Sequence, residues 1–251
     1  MDNEGTRCGT FSSSNIWKLM TNDRSGKFFG APGQKYIRQV NFERAMERPI
    51  NPDRDSRPTT WGTFVETLVF DKLPLSYQLV SKKRLFHKAM PNVWSGAPDL
   101  IEIESETVSD CKCPFSLEVF GSKLKALKDL ETYKDEFEED YWQHISNAEL
   151  LESNGIPIKN FEAVVYVPYK SELDSIRQAA QAYTGEDAYR FKWIQFAYDD
   201  ELPWIPDGGN YKNLNIVRHP VSFLDKQALS ARVVLASLSL ESRTESKLIE
   251  V

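Results

Sequence analysis

The segment that most restricts the fold is residues 96–115, GAPDLIEIESETVSDCKCPF. Residues 100–103 and 107–113 are predicted to be the two arms of a β-hairpin, and Glu104-Ser105-Glu106 between them its turn. Successive side chains on a strand point to opposite faces, so Asp110 and Lys112 share one face. Asp99 begins the first arm, and the hairpin is predicted to bring all three charges to one end of a sheet.

These three side chains have the composition of a metal-assisted hydrolytic site. Two neighbouring carboxylates, Asp99 and Asp110, repel each other unless a cation lies between them, and an all-oxygen site favours Mg²⁺ or Mn²⁺. Such an ion polarises a phosphodiester, while Lys112 orients or deprotonates the attacking water or stabilises charge in the transition state. A D-x-K pattern alone is also common on the surface of ordinary hairpins, so this motif does not decide the function.

Periodicity and capping residues outline an α/β protein with a central mixed sheet flanked by helices. We take residues 1–251 as a single domain, with a motif core at 61–168, a strand and helix extension at 185–240 and a frayed tail at 241–251. The predicted helices cover 12–20, 34–48, 61–72, 123–153, 171–183 and 221–240. Besides the hairpin, strands are predicted at 77–87, 161–168 and 189–198, and a turn at 207–209.

Composition excludes several classes. A net charge of −6 argues against a protein that coats nucleic acid. Three cysteines are too few for a four-cysteine zinc or iron–sulfur site, and a disulfide framework is not expected. No apolar run approaches the roughly 18 residues of a membrane span, and the N-terminal sequence does not have the order of a signal peptide, so a cytoplasmic protein is expected.

Charge is unevenly distributed along the chain. Residues 24–57 contain eight Lys or Arg and four Asp or Glu, and a second basic stretch covers 82–88. Residues 131–140 contain six acids and one lysine. A basic face that contacts DNA and an acidic back would explain this pattern, as would ordinary solvated surfaces.

The surroundings of the D-x-K pattern are more specific. Gly96-Ala97-Pro98-Asp99 precedes Asp110-Cys111-Lys112 by the length of a hairpin, and Cys113-Pro114-Phe115 follows at once. This combination resembles the lambda exonuclease (YqaJ-like viral recombinase) family of PD-(D/E)xK nucleases, with its G/S-x-P-D turn and (E/D)-x-K-C-P-F strand end. The segment from Trp61 to Glu66 is similar to the W-G-x-x-x-E helix of that family, and Tyr141-Trp142-Gln143 is similar to its Y-x-Q element.

The resemblance implies a role for each matched residue. Asp99 and Asp110 would ligate the metal, with the backbone carbonyl of Cys111 as a third oxygen. Glu66 would ligate directly or through water. Lys112 would act on the attacking water, and Gln143 would steady the lysine or that water.

The N-terminal segment RCGTFSSS looks like the R-x-G-x-(I/L)-(T/S)-A-S entry segment of the family. By that resemblance Arg7 and Ser14 are candidates for binding the 5′-phosphate of a DNA end, which suits guanidinium and hydroxyl chemistry. A plain helix cap is the alternative for this segment. Two positions depart from the pattern, since Ala97 stands where some members have serine and Asp110 replaces the commoner glutamate.

The resemblance implies a PD-(D/E)xK restriction-endonuclease-like core and a Mg²⁺-dependent exonuclease that degrades linear double-stranded DNA, 5′ to 3′, in phage-type recombination. It further implies a ring-shaped homotrimer, double-stranded DNA ends as substrate and a single-strand annealing protein as partner. Two alternatives stay open: an endonuclease of restriction or repair type, and an inactive DNA-binding relative. The complete set of Glu66, Asp99, Asp110 and Lys112 speaks against the second.

Histidines and tryptophans receive a structural interpretation. The histidines His87, His144 and His219 do not form a metal-ligand pattern. Among the tryptophans, Trp94 is the best candidate for stacking on a base, because it lies close to Asp99 in sequence.

Overall fold

The computed structural model describes residues 8–50, 55–80, 84–185 and 187–240. The predicted tail at 241–251 and part of the basic stretch at 82–88 lie outside these residues. Within the described ranges, the strands in chain order are β1 Phe11–Ser12, β2 Gln78–Leu79, β3 Leu85–Phe86, β4 Trp94–Gly96, β5 Leu100–Glu102, β6 Thr107–Lys112, β7 Asn160–Tyr166 and β8 Leu214–Pro220.

The strands form two mixed sheets. The larger has the order β2-β5-β6-β7-β8, and the smaller has the order β1-β4-β3. In the larger sheet β5 and β6 are the antiparallel arms of the predicted hairpin, β6 and β7 are parallel, and β7 and β8 are antiparallel. The predicted mixed sheet is therefore confirmed.

Helices cover both faces of the larger sheet, as predicted. They are α1 Ala31–Met46, α2 Arg57–Phe70, α3 Leu117–Ala126, α4 Leu130–Glu136, α5 Glu138–Ser153, α6 Leu173–Ala182, α7 Ala188–Phe191 and α8 Phe223–Ser237. The predicted helix at 12–20 is a 3₁₀ helix, Ser13–Met20. The helix predicted at 61–72 begins four residues earlier, because Ser56 is its cap and accepts a hydrogen bond from the Thr59 amide at 3.3 Å.

The single helix predicted over 123–153 is wrong. Three helices, α3, α4 and α5, cover this region and form the crossover that a parallel β6–β7 pair requires. Asp129 begins α4 by accepting hydrogen bonds from the amide and hydroxyl of Thr132. A capping aspartate inside the periodic pattern was the signal for this break.

Two strand predictions are wrong. The strand predicted at 77–87 is replaced by β2 and β3, which belong to different sheets. Residues 189–198 form α7 and a 3₁₀ turn, Ile194–Phe196, and Trp193 Nε1 donates to Thr60 Oγ1 on α2 at 2.9 Å. The strand that the sequence reading missed is β8, an edge strand. Its residues are half-buried or exposed throughout, so it has no apolar run to reveal it.

The two faces of the larger sheet pack into separate hydrophobic clusters. On one face Val108, Ala163 and Val165 lie under α5 and α8. On the other face Leu100 and Val164 lie under α2 and α6. The strand alternation predicted for the hairpin is therefore present, and it fixes which side chains of β6 meet α5. In the part of the chain that the structure describes, no helix has the length and apolar character needed to span a bilayer.

Candidate active site

Asp110 and Lys112 lie together at the end of β6, on the face that packs against α5. Lys112 Nζ is 2.7 Å from Asp110 Oδ2. Asp110 is buried and Lys112 is about one quarter exposed. The ammonium therefore neutralises a carboxylate that would otherwise be isolated from solvent.

The hairpin brings Asp99 beside this pair. Leu100 of β5 is in register with Ser109 of β6, so Asp99 precedes β5 at the level of Asp110. Asp99 Oδ2 accepts a hydrogen bond from the Cys111 amide at 2.9 Å. Burial and the charges of Asp110 and Glu66 raise the pKa of Asp99 well above its usual value. Each of these causes opposes a second negative charge at this point.

Glu66 reaches the same site from α2. Burial, followed by the charge of Asp110, raises the pKa of Glu66 to about 7, and Lys112 partly offsets this rise. The sequence pattern placed Glu66 off the apolar stripe of its helix. In the folded chain the charge of Glu66 interacts with those of Asp110, Asp99 and Lys112.

Gln143 on α5 connects the acid to the lysine. Its Nε2 donates to Asp110 Oδ1 at 2.7 Å, and its Oε1 accepts from Lys112 Nζ at 2.9 Å. One amide thus satisfies an acceptor on Asp110 and a donor on Lys112, which fixes their relative positions.

Asp140 is a site residue that sequence reasoning missed. Its Oδ1 is 3.5 Å from Lys112 Nζ, and its Oδ2 forms an ion pair with the buried Lys123. Burial by itself would raise the pKa of Asp140, but the two lysines hold it at about 2. The available signal was spacing, because a residue three positions before Gln143 lies on the same side of α5.

The charge state of Lys112 follows from these neighbours. Burial alone would lower the pKa of Lys112, yet Asp110 and Asp140 hold it well above its usual value. Lys112 is therefore an ammonium ion with three acceptors around it, from Asp110, Gln143 and Asp140. As a cation it can donate to a negatively charged oxygen or to water.

The carboxylates fit a hard divalent cation. Asp110 Oδ2 is buried and, apart from its ion pair with Lys112, has no hydrogen-bond partner among the described residues. Burial, and after it repulsion from neighbouring carboxylates, raises the pKa of Asp99 and of Glu66, so a bound cation would favour the charged form of both. Within the described ranges, no three Asp, Glu, His or Cys side chains are already arranged as a metal centre. The donor set is nonetheless entirely oxygen, which suits Mg²⁺ or Mn²⁺.

Comparisons with known proteins give likenesses of structure only. No family model and no curated protein matches the sequence. The alkaline exonuclease of Laribacter hongkongensis is similar in structure, with a TM-score of 0.60 at 12% identity over 96% of this chain and 91% of that one. A structure of the same enzyme in complex with dAMP gives 0.58 at 13% identity, with the same coverage. A phage-related exonuclease from Haemophilus somnus 129PT gives 0.57 at 11% identity over 96% of this chain and 95% of that one.

The chain has the exonuclease fold of these proteins. The resemblance inferred from the motifs is thereby confirmed at the level of the fold. At 11–13% identity this likeness shows the fold alone and does not assign a reaction or a residue role. The roles of Glu66, Asp99, Asp110, Lys112 and Gln143 therefore stay predictions, and the structure contributes the observation that this fold brings the five side chains together.

The exonuclease fold also explains one glycine of the G-A-P-D turn. A Cβ at Gly96 would lie 2.1 Å from Ser13 Oγ and 2.5 Å from Leu150 Cδ1. A side chain there would force Ser13 on the 3₁₀ helix and Leu150 on α5, or β4 itself, to move. Because Asp99 follows three residues later, this close packing sets where the hairpin enters the site.

Of the two residues predicted to bind a 5′-phosphate, only Ser14 lies among the described residues. Arg7 lies outside the described residues. Ser14 is half-buried in the 3₁₀ helix, where its Oγ is 3.4 Å from Ser12 Oγ. Their role stays a prediction.

Trp94 is not a base-stacking residue. It is fully buried, its Nε1 donates to Ser146 Oγ at 2.9 Å, and its ring stacks on His87. That hypothesis is wrong because nearness to Asp99 in sequence does not imply exposure. The predicted structural role of His144 agrees with its complete burial against Phe161.

Proposed function

We propose that this chain is a metal-dependent nuclease that hydrolyses DNA phosphodiester bonds from an end. The observation that carries the proposal is the position of Lys112. Its ammonium lies against Asp110, Gln143 and Asp140, beside the carboxylates of Asp99 and Glu66, in a chain with an exonuclease fold.

Asp99, Asp110 and Glu66, with the backbone carbonyl of Cys111, are the groups that would hold the cation. When bound, Mg²⁺ or Mn²⁺ supplies polarisation of the phosphodiester and a more acidic water. Asp110 Oδ2 is the oxygen available for this purpose, since Gln143 engages only the other oxygen and the one contact of Oδ2 among the described residues is its ion pair with Lys112.

The protein groups supply orientation and charge. Lys112 donates its hydrogen bonds toward the attacking water or the phosphate oxygens and stabilises the negative charge that develops there. Gln143 and Asp140 keep the ammonium in place. Because both contacts come from α5, a displacement of this helix would disturb the lysine and Asp110 together.

The finer features of the proposal rest on the motif resemblance. These are 5′-to-3′ polarity on linear double-stranded DNA, a 5′-phosphate contact through Arg7 and Ser14, a trimeric ring and a single-strand annealing partner in recombination. The basic residues at 24–57 would then face the DNA.

The test compares a linear duplex, with and without a 5′-phosphate, with a covalently closed circle of the same sequence. We expect Mg²⁺-dependent release of nucleotides from the linear duplex, no cutting of the circle, and no hydrolysis in Ca²⁺ or EDTA. Lys112→Ala and Asp110→Ala should remain folded and lose at least about 100-fold in rate. Lys72→Ala, which removes an exposed lysine that pairs with Glu172 elsewhere on the surface, serves as the matched control.

Digestion by both site variants at the wild-type rate would reject the proposal. Cutting of the closed circle would instead assign the site to an endonuclease. DNA binding without hydrolysis under any of these metals would assign the chain to an inactive relative.

A further inference from the structure

A groove of about 950 Å³ lies beside α3 and is lined in part by β8, which is two strands away from the Asp110 and Lys112 of β6. Lys125 on α3 and Lys128 just after it line one side, and Lys212, which precedes β8, lines the other. None of the described residues that line the groove is acidic. The groove therefore concentrates positive charge in a chain whose net charge is −6.

The three lysines are exposed, and none has an ion-pair partner within the described part of the chain. Other lysines nearby are paired: Lys134, for example, is 2.8 Å from Asp225. Basic residues are favoured near the C-terminus of a helix, and the helix dipole is enough to explain why lysines occupy positions 125 and 128. Lys212 is across the groove and outside any helix, so the helix dipole does not explain the third charge.

Tyr211 adds an aromatic surface to the groove. The side chain is 52% exposed, and its ring meets the buried Phe120 edge-on, with centroids 5.9 Å apart and planes at 62°. This contact holds the tyrosine in one orientation while leaving ring surface accessible. Lysines that follow a groove, together with a fixed and accessible aromatic ring, are the combination that binds single-stranded nucleic acid.

The groove opens on the same face of the sheet as the catalytic side chains. Lys112 is in register with Val165 on β7, and Val165 is in register with Asn215 on β8, which lines the groove. Residues in register on neighbouring strands point to the same face. Two strand spacings separate Lys112 from Asn215, which is about 10 Å. A strand of nucleic acid can span that distance within a few nucleotides.

We propose that this groove binds a single-stranded stretch of the DNA substrate, with Lys125, Lys128 and Lys212 on its phosphates and Tyr211 stacked on a base. The inference rests on the proposed nuclease function, which it extends by naming a second contact surface and the form of DNA that it holds. Binding here would keep the substrate on the protein between successive hydrolytic events.

The test measures the binding of a fluorescein-labelled oligothymidylate of about 15 nucleotides to the full chain in EDTA. Fluorescence anisotropy gives the binding constant at each of several salt concentrations. Each phosphate contact with single-stranded DNA contributes about 0.7 to the slope of log K against log salt. Lys125→Ala/Lys128→Ala/Lys212→Ala should therefore reduce the slope by about two and weaken binding at least about tenfold. Tyr211→Leu should weaken binding by about tenfold with little change in slope, and Tyr211→Phe should bind like the wild type.

The matched control removes three exposed lysines that lie outside the groove and outside the basic stretches 24–57 and 82–88, in Lys72→Ala/Lys159→Ala/Lys192→Ala. It has the same net charge as the groove variant and should keep the wild-type slope. An unchanged slope in the groove variant, or an equal loss in the control, would overturn the proposal. A third result would also overturn the proposal: an oligoglutamate peptide binds the wild type as tightly as oligothymidylate does and no longer binds the groove variant. The occupant of the groove would then be an acidic protein segment.

Hydrolysis does not enter this assay. Failure of the nuclease proposal would appear as normal digestion by Lys112→Ala, whereas failure of the groove proposal would appear as normal oligothymidylate binding by the groove variant. A thermal unfolding midpoint equal to that of the wild type shows that each variant is folded.

Discussion

Lys112 Nζ lies 2.7 Å from Asp110 Oδ2, although the two residues are only two positions apart on one strand. Side chains at this spacing lie side by side on a sheet face, and the amide of Gln143 and the carboxylate of Asp140 keep their charged ends together. The site therefore contains one ammonium and several carboxylates, and its excess negative charge leads to the first prediction.

Asp99→Asn should stabilise the protein in EDTA and abolish its response to Mg²⁺. Burial and the charges of Asp110 and Glu66 raise the pKa of Asp99, so an uncharged side chain of the same shape relieves repulsion. In the wild type, Mg²⁺ at 100 times its dissociation constant should add about 2.7 kcal/mol to the free energy of unfolding. Thermal unfolding with and without Mg²⁺ measures both effects. Equal stabilisation of wild type and variant by Mg²⁺ would contradict the assignment of Asp99 as a ligand.

Asp140→Asn should destabilise the protein by about 3 kcal/mol, because it leaves the buried Lys123 without its carboxylate partner. It should also lower the rate of DNA hydrolysis at least about tenfold, because Lys112 loses one of its three acceptors. Combining Asp140→Asn with Lys123→Met should recover much of the stability without recovering the rate. Urea unfolding and initial rates on a linear duplex separate these effects. A rate that recovers together with stability would mean that Asp140 acts only on the fold.

His144 should make the protein less stable as the pH is lowered from about 6.5 to about 4, whereas the raised pKa of Glu66 acts in the opposite direction over much of this range. Burial lowers the pKa of His144 from 6.5 to about 4. In this window the unfolded chain binds a proton that the folded chain excludes, so acid favours unfolding, and the effect is complete below the folded pKa. At pH 5 the loss attributable to His144 is about 2 kcal/mol. Between pH 7.5 and pH 5, the free energy of unfolding of His144→Gln, which does not titrate at residue 144, should gain about 2 kcal/mol relative to that of the wild type in urea unfolding. Identical pH profiles would refute the prediction.

Gly96→Ala should destabilise the protein by about 1–3 kcal/mol, since the added methyl group overlaps Ser13 and Leu150. Gly121→Ala is the matched control. Gly121 lies within α3 with open space around its Cα, so alanine there should stabilise the helix by about 0.5–1 kcal/mol. Chemical unfolding of the two variants should therefore give shifts of opposite sign. A neutral Gly96→Ala would show that β4 and α5 have room to separate.

Residues close together in sequence were the most predictable part of the molecule. The hairpin from Leu100 to Lys112 follows from its alternating pattern, and that pattern placed Asp110 and Lys112 on one face. The buried strand β7 was recognisable from its continuous apolar run, because a central strand buries both faces. The capping aspartate Asp129 shows that one local signal was present and was overlooked.

Contacts between segments far apart in the sequence were harder to predict. β8 is recognisable as a strand only once β7 is available to pair with it, since it mixes apolar and polar residues and all of them are half-buried or exposed. Trp94 was the best candidate among the tryptophans for stacking on a base, but it is fully buried and hydrogen-bonded to Ser146 of α5. Asp140 meets Lys112 only because of the position of α5, which brings its Oδ1 within 3.5 Å of Lys112 Nζ.

The amino-acid sequence by itself determined which groups carry charge, which of them share a strand face and which motifs surround them, because these depend on residue type and on the two-residue repeat of a strand. The motifs also indicated Glu66 and Gln143 as site residues. Only the tertiary structure decided how Gln143 joins Asp110 to Lys112, that Asp140 meets this pair, and that the lysine-lined groove opens on the same sheet face. The physical reason is that the packing of α2 and α5 against the sheet depends on many side chains far apart in the chain, whose combined effect no local pattern contains.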